Sequence, residues 1–254
     1  MKRIAVITGA SSGMGREFVL QLDKAMKHID EIWVIARRAE KLMELEALTE
    51  HKLVVCPVDL AENNEMERVS KHLQTEKPHI SMLVNAAGFG IHGTFEESDE
   101  KDSVGMIDVN IRALTKLTRI CLPYMAKGGR IINLASSASF VPQPKFAVYA
   151  ASKSYVLSFS RALQVELKAR NISVTSVCPG PVDTEFFRRD NCDINKTFYK
   201  KLVMAKPDAV VKQAIEDAKS RKEISVYGGY MKAFRVLCKI VPHGVMLAVM
   251  KRIL

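Results

Sequence analysis

Short apolar runs alternate with amphipathic stretches along most of the chain. The apolar runs predict strands near residues 3–8, 31–36, 53–58, 81–84, 130–135, 173–178 and 224–227. Stretches with a helical period predict helices near 14–26, 39–48, 63–75, 99–126, 149–169 and 207–219. Because parallel strands need crossover connections, this alternation predicts a parallel sheet with helices on both faces. The predicted fold class is therefore α/β, a Rossmann-type doubly wound sheet of about seven strands.

Two regions interrupt the alternation. Residues 185–206 lack a clean period but carry four aromatic residues, Phe186, Phe187, Phe198 and Tyr199. In the tail, about 230–254, Lys232, Arg235 and Lys239 mark one helical face, and Phe234, Leu237 and Val241 mark another. A basic amphipathic helical extension of this kind can lie on a membrane surface. It can also cover a substrate pocket, pack on its own domain or contact a second subunit, and these alternatives stay open here.

Length and composition are those of one globular domain spanning 1–254. The net charge of +10 is dispersed, and no aromatic-rich RNA motif accompanies it, so we expect no nucleic-acid partner. The positive charge favours binding of a phosphorylated cofactor, an anionic substrate or an anionic surface. The alternative is that the basic residues only form a solvated exterior. Five scattered cysteines without paired spacing predict no metal site and a reduced, cytoplasmic protein. Neither a separate apolar leader nor an uninterrupted apolar run of membrane-spanning length is seen.

The first predicted strand runs directly into a glycine-rich turn and then a helix. The turn contains Gly9, Ser11, Ser12, Gly13, Met14 and Gly15. In this context glycines let the backbone approach a pyrophosphate, and the free N–H groups at the helix N-terminus can bind it. An ordinary tight turn is the alternative, and we favour the phosphate site.

Further polar and glycine-containing segments follow other predicted strands. Asp59 and Leu60 follow one strand, and Asn85 to Gly88 (Asn-Ala-Ala-Gly) follow the next. Ser136 comes after the strand near 130–135, and Pro179 to Thr184 follow the strand near 173–178. Because parallel strands bind ligands at their carboxyl ends, these segments are expected to meet at one site. His92, just beyond Gly88, has two interpretations: its side chain reaches the substrate side of this site, or it lies in a solvated loop. We favour the solvated loop.

Tyr149 and Lys153 lie four residues apart in a predicted helix, so both side chains emerge on one face. An ammonium held there favours the phenolate and lowers the tyrosine pKa. A tyrosine tuned in this way can exchange a proton with an alcohol or ketone oxygen. None of the other five tyrosines has a lysine four residues later. The pair therefore predicts acid–base chemistry at this helix.

With the Thr8-Gly9-x-x-x-Gly13-x-Gly15 turn and Tyr149-x-x-x-Lys153, the chain resembles the short-chain dehydrogenase/reductase family over about residues 2–228. Met14 and Ala86 depart from commoner family residues, but neither carries chemistry. The resemblance implies a catalytic set of Asn110, Ser136, Tyr149 and Lys153, with Ser137 a close competitor for the serine role. It implies that residues 185–206 form a substrate loop. The implied cofactor-binding residues are Gly9, Ser11, Ser12, Gly13, Met14, Gly15, Arg37, Arg38, Asp59, Leu60, Asn85, Ala86, Ala87, Gly88, Tyr149, Lys153, Pro179, Gly180, Val182 and Thr184.

The end of the second strand predicts the cofactor. In dinucleotide folds an acidic residue there binds the ribose 2′-hydroxyl of NAD, whereas arginine accommodates the 2′-phosphate of NADP. This strand ends in Ala36-Arg37-Arg38, without a carboxylate. Arg37 can bind a phosphate through paired hydrogen bonds. We therefore predict NADP(H), against the alternative of a basic start to a surface helix.

The aromatic loop and the apolar tail favour a small hydrophobic substrate, a ketone or secondary alcohol such as a steroid, bile acid or lipid. A 3-oxoacyl thioester reductase and a non-catalytic NADP(H)-sensing protein are the alternatives. The resemblance also implies a homodimer or homotetramer that pairs through the helices predicted at 99–126 and 149–169.

Overall fold

The computed structural model describes residues 1–186 and 204–253. Seven strands form one sheet: β1 Arg3–Thr8, β2 Glu31–Ala36, β3 Lys52–Pro57, β4 His79–Asn85, β5 Met125–Leu134, β6 Ser173–Val177 and β7 Ile224–Ser225. The strand order is β3-β2-β1-β4-β5-β6-β7, and every pairing is parallel. The doubly wound α/β fold predicted from the sequence is confirmed.

The helices cover both faces of this sheet. They are α1 Gly13–Ala25, α2 Ala39–Met43, α3 Asn63–Glu76, α4 Glu100–Ile107, α5 Leu114–Cys121, α6 Ala147–Glu166, α7 Pro207–Lys219, α8 Gly229–Ile240 and α9 His243–Ile253. On one face, Phe18 and Leu22 of α1 and Ala214 of α7 pack into the core. On the other, Leu117 of α5 and Leu163 of α6 do so. Burial of these apolar faces holds the helices to the strands.

The region predicted as one helix, 99–126, is divided. Residues Asp108–Ala113 form a π-helical segment between α4 and α5, and a short 3-10 turn follows α5. Strand β5 then begins at Met125, earlier than the predicted 130. Its register against β4 shifts between Ile80 and Met82, which accommodates the extra residues before Arg130. A helical period does not distinguish α from π geometry, so the sequence pattern could not show this division.

The tail contains two helices, α8 and α9, that pack on the chain's own sheet domain. Cys238 of α8 and Met246 of α9 are buried in a cluster with Val141. Within the described residues no single helix is long and apolar enough to cross a membrane. Residues Gly229–Ile240 and His243–Arg252 meet that length and composition only as a pair bent by 120°.

Candidate active site

A cavity of about 1010 Å³ lies at the carboxyl ends of the strands. The strand order reverses direction between β1 and β4, which is where a doubly wound sheet opens a crevice for a ligand. Thr8 is the last residue of β1 and connects it to the loop after β4. Its hydroxyl accepts hydrogen bonds from the backbone N–H groups of Ala86 and Ala87, both at 3.0 Å. The glycine turn and the loop after β4 are thereby held side by side.

The glycine turn forms one end of the cavity, and its backbone is closely packed. A Cβ on Gly15 would lie 2.2 Å from the carbonyl oxygen of Gly9, so only glycine lets α1 start this close to β1. Gly9 itself has φ of 66° and lies against the backbone of Ala87. The first turn of α1 holds no acidic residue, so its N–H groups and positive dipole end face the cavity unopposed. This arrangement fits a phosphate group.

Arginines line the cavity beside that turn. Arg37 is 60% exposed and lies 3.6 Å from a carboxylate oxygen of Asp59. Arg38 donates hydrogen bonds to the hydroxyl of Ser11 at 3.2 Å and to the carboxylate of Glu185 at 3.0 Å. Two guanidiniums at the end of β2 can bind an anionic group that lies across the turn. The ion pair with Glu185 was not predicted from the sequence.

Tyr149 lies at the centre of the cavity, on the first turn of α6. Its hydroxyl shares a hydrogen bond with Ser136, and the Nζ of Lys153 lies 5.6 Å from the centroid of its ring. Burial raises the pKa of Tyr149 to about 12, and the Ser136 hydrogen bond opposes that rise. The expected lowering of the tyrosine pKa is therefore not found in this structure, because desolvation outweighs the hydrogen bond.

Lys153 lies one turn further along α6 and is also buried. Burial lowers its pKa to about 8, because an ammonium is poorly solvated there. Its Nζ donates a hydrogen bond to the carbonyl of Leu134 at 2.9 Å. Gly88 makes room for it, since a Cβ at that position would lie 3.2 Å from the Nζ.

Ser136 begins a short 3-10 turn after β5, and its hydroxyl accepts a hydrogen bond from the N–H of Ala138 at 3.1 Å. Its competitor Ser137 also lines the cavity, but its backbone N–H donates to the carbonyl of Pro179 at 2.8 Å. Of the two, Ser136 is the serine whose side chain contacts Tyr149. The geometry therefore favours Ser136 for the serine role.

Asn110 lies in the π-helical segment and does not line the cavity. Its side chain donates hydrogen bonds to the carbonyl of Phe89 at 2.9 Å and to the hydroxyl of Ser152 at 3.0 Å. Its carbonyl oxygen accepts the N–H of Phe89 at 3.0 Å. Asn110 thus ties the loop after β4 to α6, behind Lys153.

Asn85 is the one predicted cofactor-binding residue that the structure does not bring to the cavity. Its side chain is 2% exposed and donates to Thr118 at 3.0 Å and to Asn133 at 2.8 Å. These two hydrogen bonds hold the side-chain amide N–H groups of Asn85 among buried partners, away from the cavity. The remaining predicted residues line the cavity: Gly9, Ser11, Ser12, Gly13, Met14, Gly15, Arg37, Arg38, Asp59, Leu60, Ala86, Ala87, Gly88, Tyr149, Lys153, Pro179, Gly180, Val182 and Thr184.

On the wall around Tyr149, the sequence predicted Phe186, in the expected substrate loop, but missed Phe146 and Gly90. Phe146 stacks on Tyr149 with ring centroids 4.3 Å apart, and Phe186 lies 5.4 Å from the same ring. Gly90 admits both, since a Cβ there would lie within 3.0 Å of each aromatic side chain. His92 also lines the cavity, 5.3 Å from Phe146, contrary to the favoured solvated loop. The glycines of Gly88-Phe89-Gly90 were the available signal for a close approach.

The tail supplies the rest of that wall. Nine of its residues line the cavity: Tyr230, Met231, Phe234, Leu237, Val241, Val245, Met246, Val249 and Met250. Of the predicted substrate loop 185–206, residues 187–203 lie outside the described residues, and Glu185 and Phe186 line the cavity. Among residues 1–186 and 204–253, no group of three His, Cys, Asp or Glu side chains could hold a metal ion.

Comparisons with known proteins agree with this geometry. The family model described as short chain dehydrogenase matches residues 3–195. A probable short-chain type dehydrogenase/reductase VdlC of Helicobacter pylori is 32% identical over 186 residues, which are 72% of this chain and 66% of that protein. A 3-dehydrosphinganine reductase of Danio rerio is 31% identical over 243 residues, 89% of this chain and 72% of that protein.

Two solved structures share the fold. A short-chain dehydrogenase from Sphingobium yanoikuyae in complex with NADPH superposes with a TM-score of 0.81 at 23% identity, covering 99% of this chain and 96% of that one. A short chain dehydrogenase/reductase from Burkholderia phymatum in complex with NAD has a TM-score of 0.78 at 21% identity, covering 93% and 92%.

Proposed function

The chain belongs to the short-chain dehydrogenase/reductase family of NAD(P)-dependent oxidoreductases, and from this premise we propose that it interconverts a hydrophobic ketone and its secondary alcohol with NADP(H). The observation that carries the proposal is the buried Tyr149, which contacts Ser136 and lies between a phosphate-compatible turn and an apolar wall. The domain proposed to do this spans residues 1–254.

The residues of the turn would hold the cofactor. Gly9 to Gly15 would bind its pyrophosphate, and Arg37 and Arg38 would bind a 2′-phosphate. Two guanidiniums and no carboxylate at residues 36–38 support NADP(H) over NAD(H). When bound, the nicotinamide supplies or accepts the hydride at the substrate carbon.

Tyr149 handles the proton in this proposal. With its pKa raised to about 12, the phenol is protonated at neutral pH and can donate its proton to a carbonyl oxygen during reduction. Ser136 would hydrogen-bond the same oxygen and fix its position against the phenol. In alcohol oxidation, the tyrosinate would remove the hydroxyl proton, and the charge of Lys153 would favour that form.

Asn110 and Lys153 would complete the machinery. Both side chains lie against Gly88, where a Cβ would meet the Asn110 carbonyl oxygen at 2.8 Å and the Lys153 Nζ at 3.2 Å. We propose that Asn110 positions the path by which Lys153 exchanges protons with solvent. We also propose that Lys153 contacts the cofactor ribose, for which its buried donors are suitably placed beside the cavity.

The substrate is proposed to be a steroid, a bile acid or another lipid-like ketone. Nine residues of the tail give the cavity an apolar wall. The name of the Danio rerio relative, a 3-dehydrosphinganine reductase, supports a lipid ketone. A small polar ketone would leave most of this wall without contact.

A homodimer or homotetramer is proposed to form through the outer faces of α4, α5 and α6. Four exposed apolar side chains on these helices support it: Val104, Ile107, Tyr155 and Val165. The proposed location is cytoplasmic. The described cysteines Cys56, Cys121, Cys178 and Cys238 are free thiols, which supports a reducing compartment.

Oxidation of NADPH and of NADH should be measured against a panel of ketones that runs from small cyclic ketones to oxo-bile acids and 3-oxoacyl thioesters. NADPH-selective reduction of the bulky ketones is expected. Preference for the thioesters would instead favour a 3-oxoacyl thioester reductase. Tight NADPH binding without turnover of any ketone would count against catalysis and favour a cofactor-sensing protein.

A further inference from the structure

Helices α8 and α9, together the C-terminal hairpin, have an inner face that is part of the cavity. Cys238 and Met246 anchor the hairpin against Val141. Met231 packs on Gly180, where a Cβ would lie 2.6 Å from the methionine sulfur. Contacts made by its inner face therefore hold the hairpin to the rest of the domain.

The outer face of the hairpin is unusually apolar for an exposed surface. Six large apolar side chains are between about half and three quarters exposed there: Tyr230, Val236, Leu237, Ile240, Val245 and Val249. Val236 and Ile240 are one turn apart on α8 and do not line the described cavity. An apolar patch of this kind marks an interaction surface.

The rim of the cavity lies on this same patch. Tyr230, Leu237, Val245 and Val249 are exposed and also line the cavity. An apolar molecule that leaves the patch can therefore enter the cavity along a continuous apolar surface. Whatever covers the patch also covers this entrance.

The charge of the hairpin identifies the kind of partner. Between residues 229 and 253 there are five basic residues and no acidic residue: Lys232, Arg235, Lys239, Lys251 and Arg252. A symmetric contact with a second copy would bring two such sets of cations together. Apolar side chains flanked by lysine and arginine are typical of helices that lie in the interface of an anionic membrane.

We propose that the C-terminal hairpin docks on an anionic lipid surface and places the rim of the cavity against it, so that an apolar ketone enters from the bilayer. The docking is inferred from the exposed apolar and basic residues of the hairpin alone, whereas the entry of a ketone rests on the proposed function. The same apolar patch would thus bind the lipid surface and lead the ketone into the cavity.

Co-sedimentation of the full chain with vesicles tests the docking. Vesicles of phosphatidylglycerol and phosphatidylcholine in equal parts should bind the protein, and those of phosphatidylcholine alone should bind it on the order of tenfold more weakly. Val236→Glu/Ile240→Glu should weaken binding to the anionic vesicles at least about tenfold. Lys232→Gln/Lys239→Gln should weaken it by a similar factor, and high salt should do the same.

A matched control introduces two glutamates at exposed apolar residues outside the hairpin. Met43→Glu/Leu48→Glu changes two apolar residues that are 55% and 51% exposed near the β3 edge, and it should bind like the unchanged chain. No binding by the unchanged chain, or equal binding by Val236→Glu/Ile240→Glu, would overturn the proposal. A dimer that Val236→Glu/Ile240→Glu dissociates, without any vesicle binding, would overturn it in favour of a second copy.

Tryptophan quenching tests which face meets the lipid. Trp33, the chain's one native tryptophan, is 1% exposed, so an added surface tryptophan is readily distinguished. Ile240→Trp should be quenched by brominated phosphatidylglycerol, whereas Leu48→Trp should not. Equal quenching in both variants would refute the orientation.

These measurements need neither cofactor nor ketone, so their failure is distinguishable from failure of the proposed function. Val236→Glu/Ile240→Glu should also keep the kcat/KM of the unchanged chain for water-soluble cyclohexanone. It should lose most of the rate with a steroid ketone presented in anionic vesicles. Equal loss with both ketones would contradict entry from the bilayer.

Discussion

The ammonium of Lys153 lies 5.6 Å from the centroid of the Tyr149 ring, and both groups are buried. Burial acts on the two in opposite directions: it raises the pKa of the phenol to about 12 and lowers that of the ammonium to about 8. Both shifts favour the neutral forms, since a buried charge is poorly solvated. Tyr149 therefore holds its proton at neutral pH, as a general acid in ketone reduction must.

Replacing Tyr149 with phenylalanine should remove that proton. We expect Tyr149→Phe to lower kcat for ketone reduction by about 10²–10⁴-fold, while NADPH still binds, as measured by cofactor fluorescence. Tyr155→Phe is the matched control, because Tyr155 lies on the same helix but contacts Thr115 instead. Unchanged kcat in Tyr149→Phe would exclude the proposed proton donor.

The two serines after β5 can be separated in the same assay. Ser136→Ala should lower kcat on the order of 10²-fold, because it removes the hydrogen bond to Tyr149 and to the substrate oxygen. Ser137→Ala should change kcat by less than about threefold, since the hydrogen bond from Ser137 to the carbonyl of Pro179 is made by its backbone N–H, which the substitution keeps. The reverse order would assign the role to Ser137.

The buried Lys153 should make stability depend on pH. Its pKa falls from 10.5 in the unfolded chain to about 8 in the folded one, so the unfolded state binds more protons between those values. The free energy of unfolding should therefore rise with pH across this window. Lys153→Met should be more stable than the unchanged chain by about 1–3 kcal/mol at pH 7, and this gain should shrink as pH rises from 8 toward 10.5.

Thermal unfolding at a series of pH values measures this effect. The exposed Lys212→Met controls for the loss of one charge. A gain from Lys153→Met that stays constant across the window would show that the ammonium is not desolvated in the folded state.

Cofactor preference should depend on Arg37. Arg37→Asp should lower the preference for NADPH over NADH by about 10–100-fold, because it replaces a charged donor with a carboxylate suited to a ribose hydroxyl. Arg161→Asp is the control, since it also breaks an exposed ion pair, with Glu223, away from the cavity. If the ratio of kcat/KM values for the two cofactors were the same in both variants, the NADP(H) assignment would be wrong.

The close packing at Gly15 predicts a large effect from one methyl group. Gly15→Ala should weaken NADPH binding and lower the free energy of unfolding by roughly 2–4 kcal/mol, because the Cβ meets the rigid backbone of Gly9. Gly244→Ala, in α9, meets nothing within 4 Å and should be neutral or slightly stabilising. Equal Tm values for the two variants would contradict the close approach.

The sequence predicted the parallel sheet and the residues at its carboxyl ends because both follow from local periodicity. It did not predict the π-helical turn that carries Asn110, since that geometry depends on contacts with Phe89 and Ser152 from distant parts of the chain. The position of Asn85 was likewise set by Asn133, a partner in another strand. Phe146 and the tail became cavity walls through tertiary packing that no single segment encodes.

The amide of Asn85 has a further consequence for the whole domain. It donates to Asn133, which in turn donates to Ser160 of α6 at 2.9 Å, so polar bonds cross from β4 through β5 to the helix that carries Tyr149. A slip of α6 along the sheet would break these bonds and leave buried amides unpaired, at a cost of about 1–3 kcal/mol each. Apolar packing tolerates sliding, whereas this chain of amides does not. These hydrogen bonds therefore fix the position of Tyr149 relative to the sheet independently of the exact packing of the surrounding apolar core.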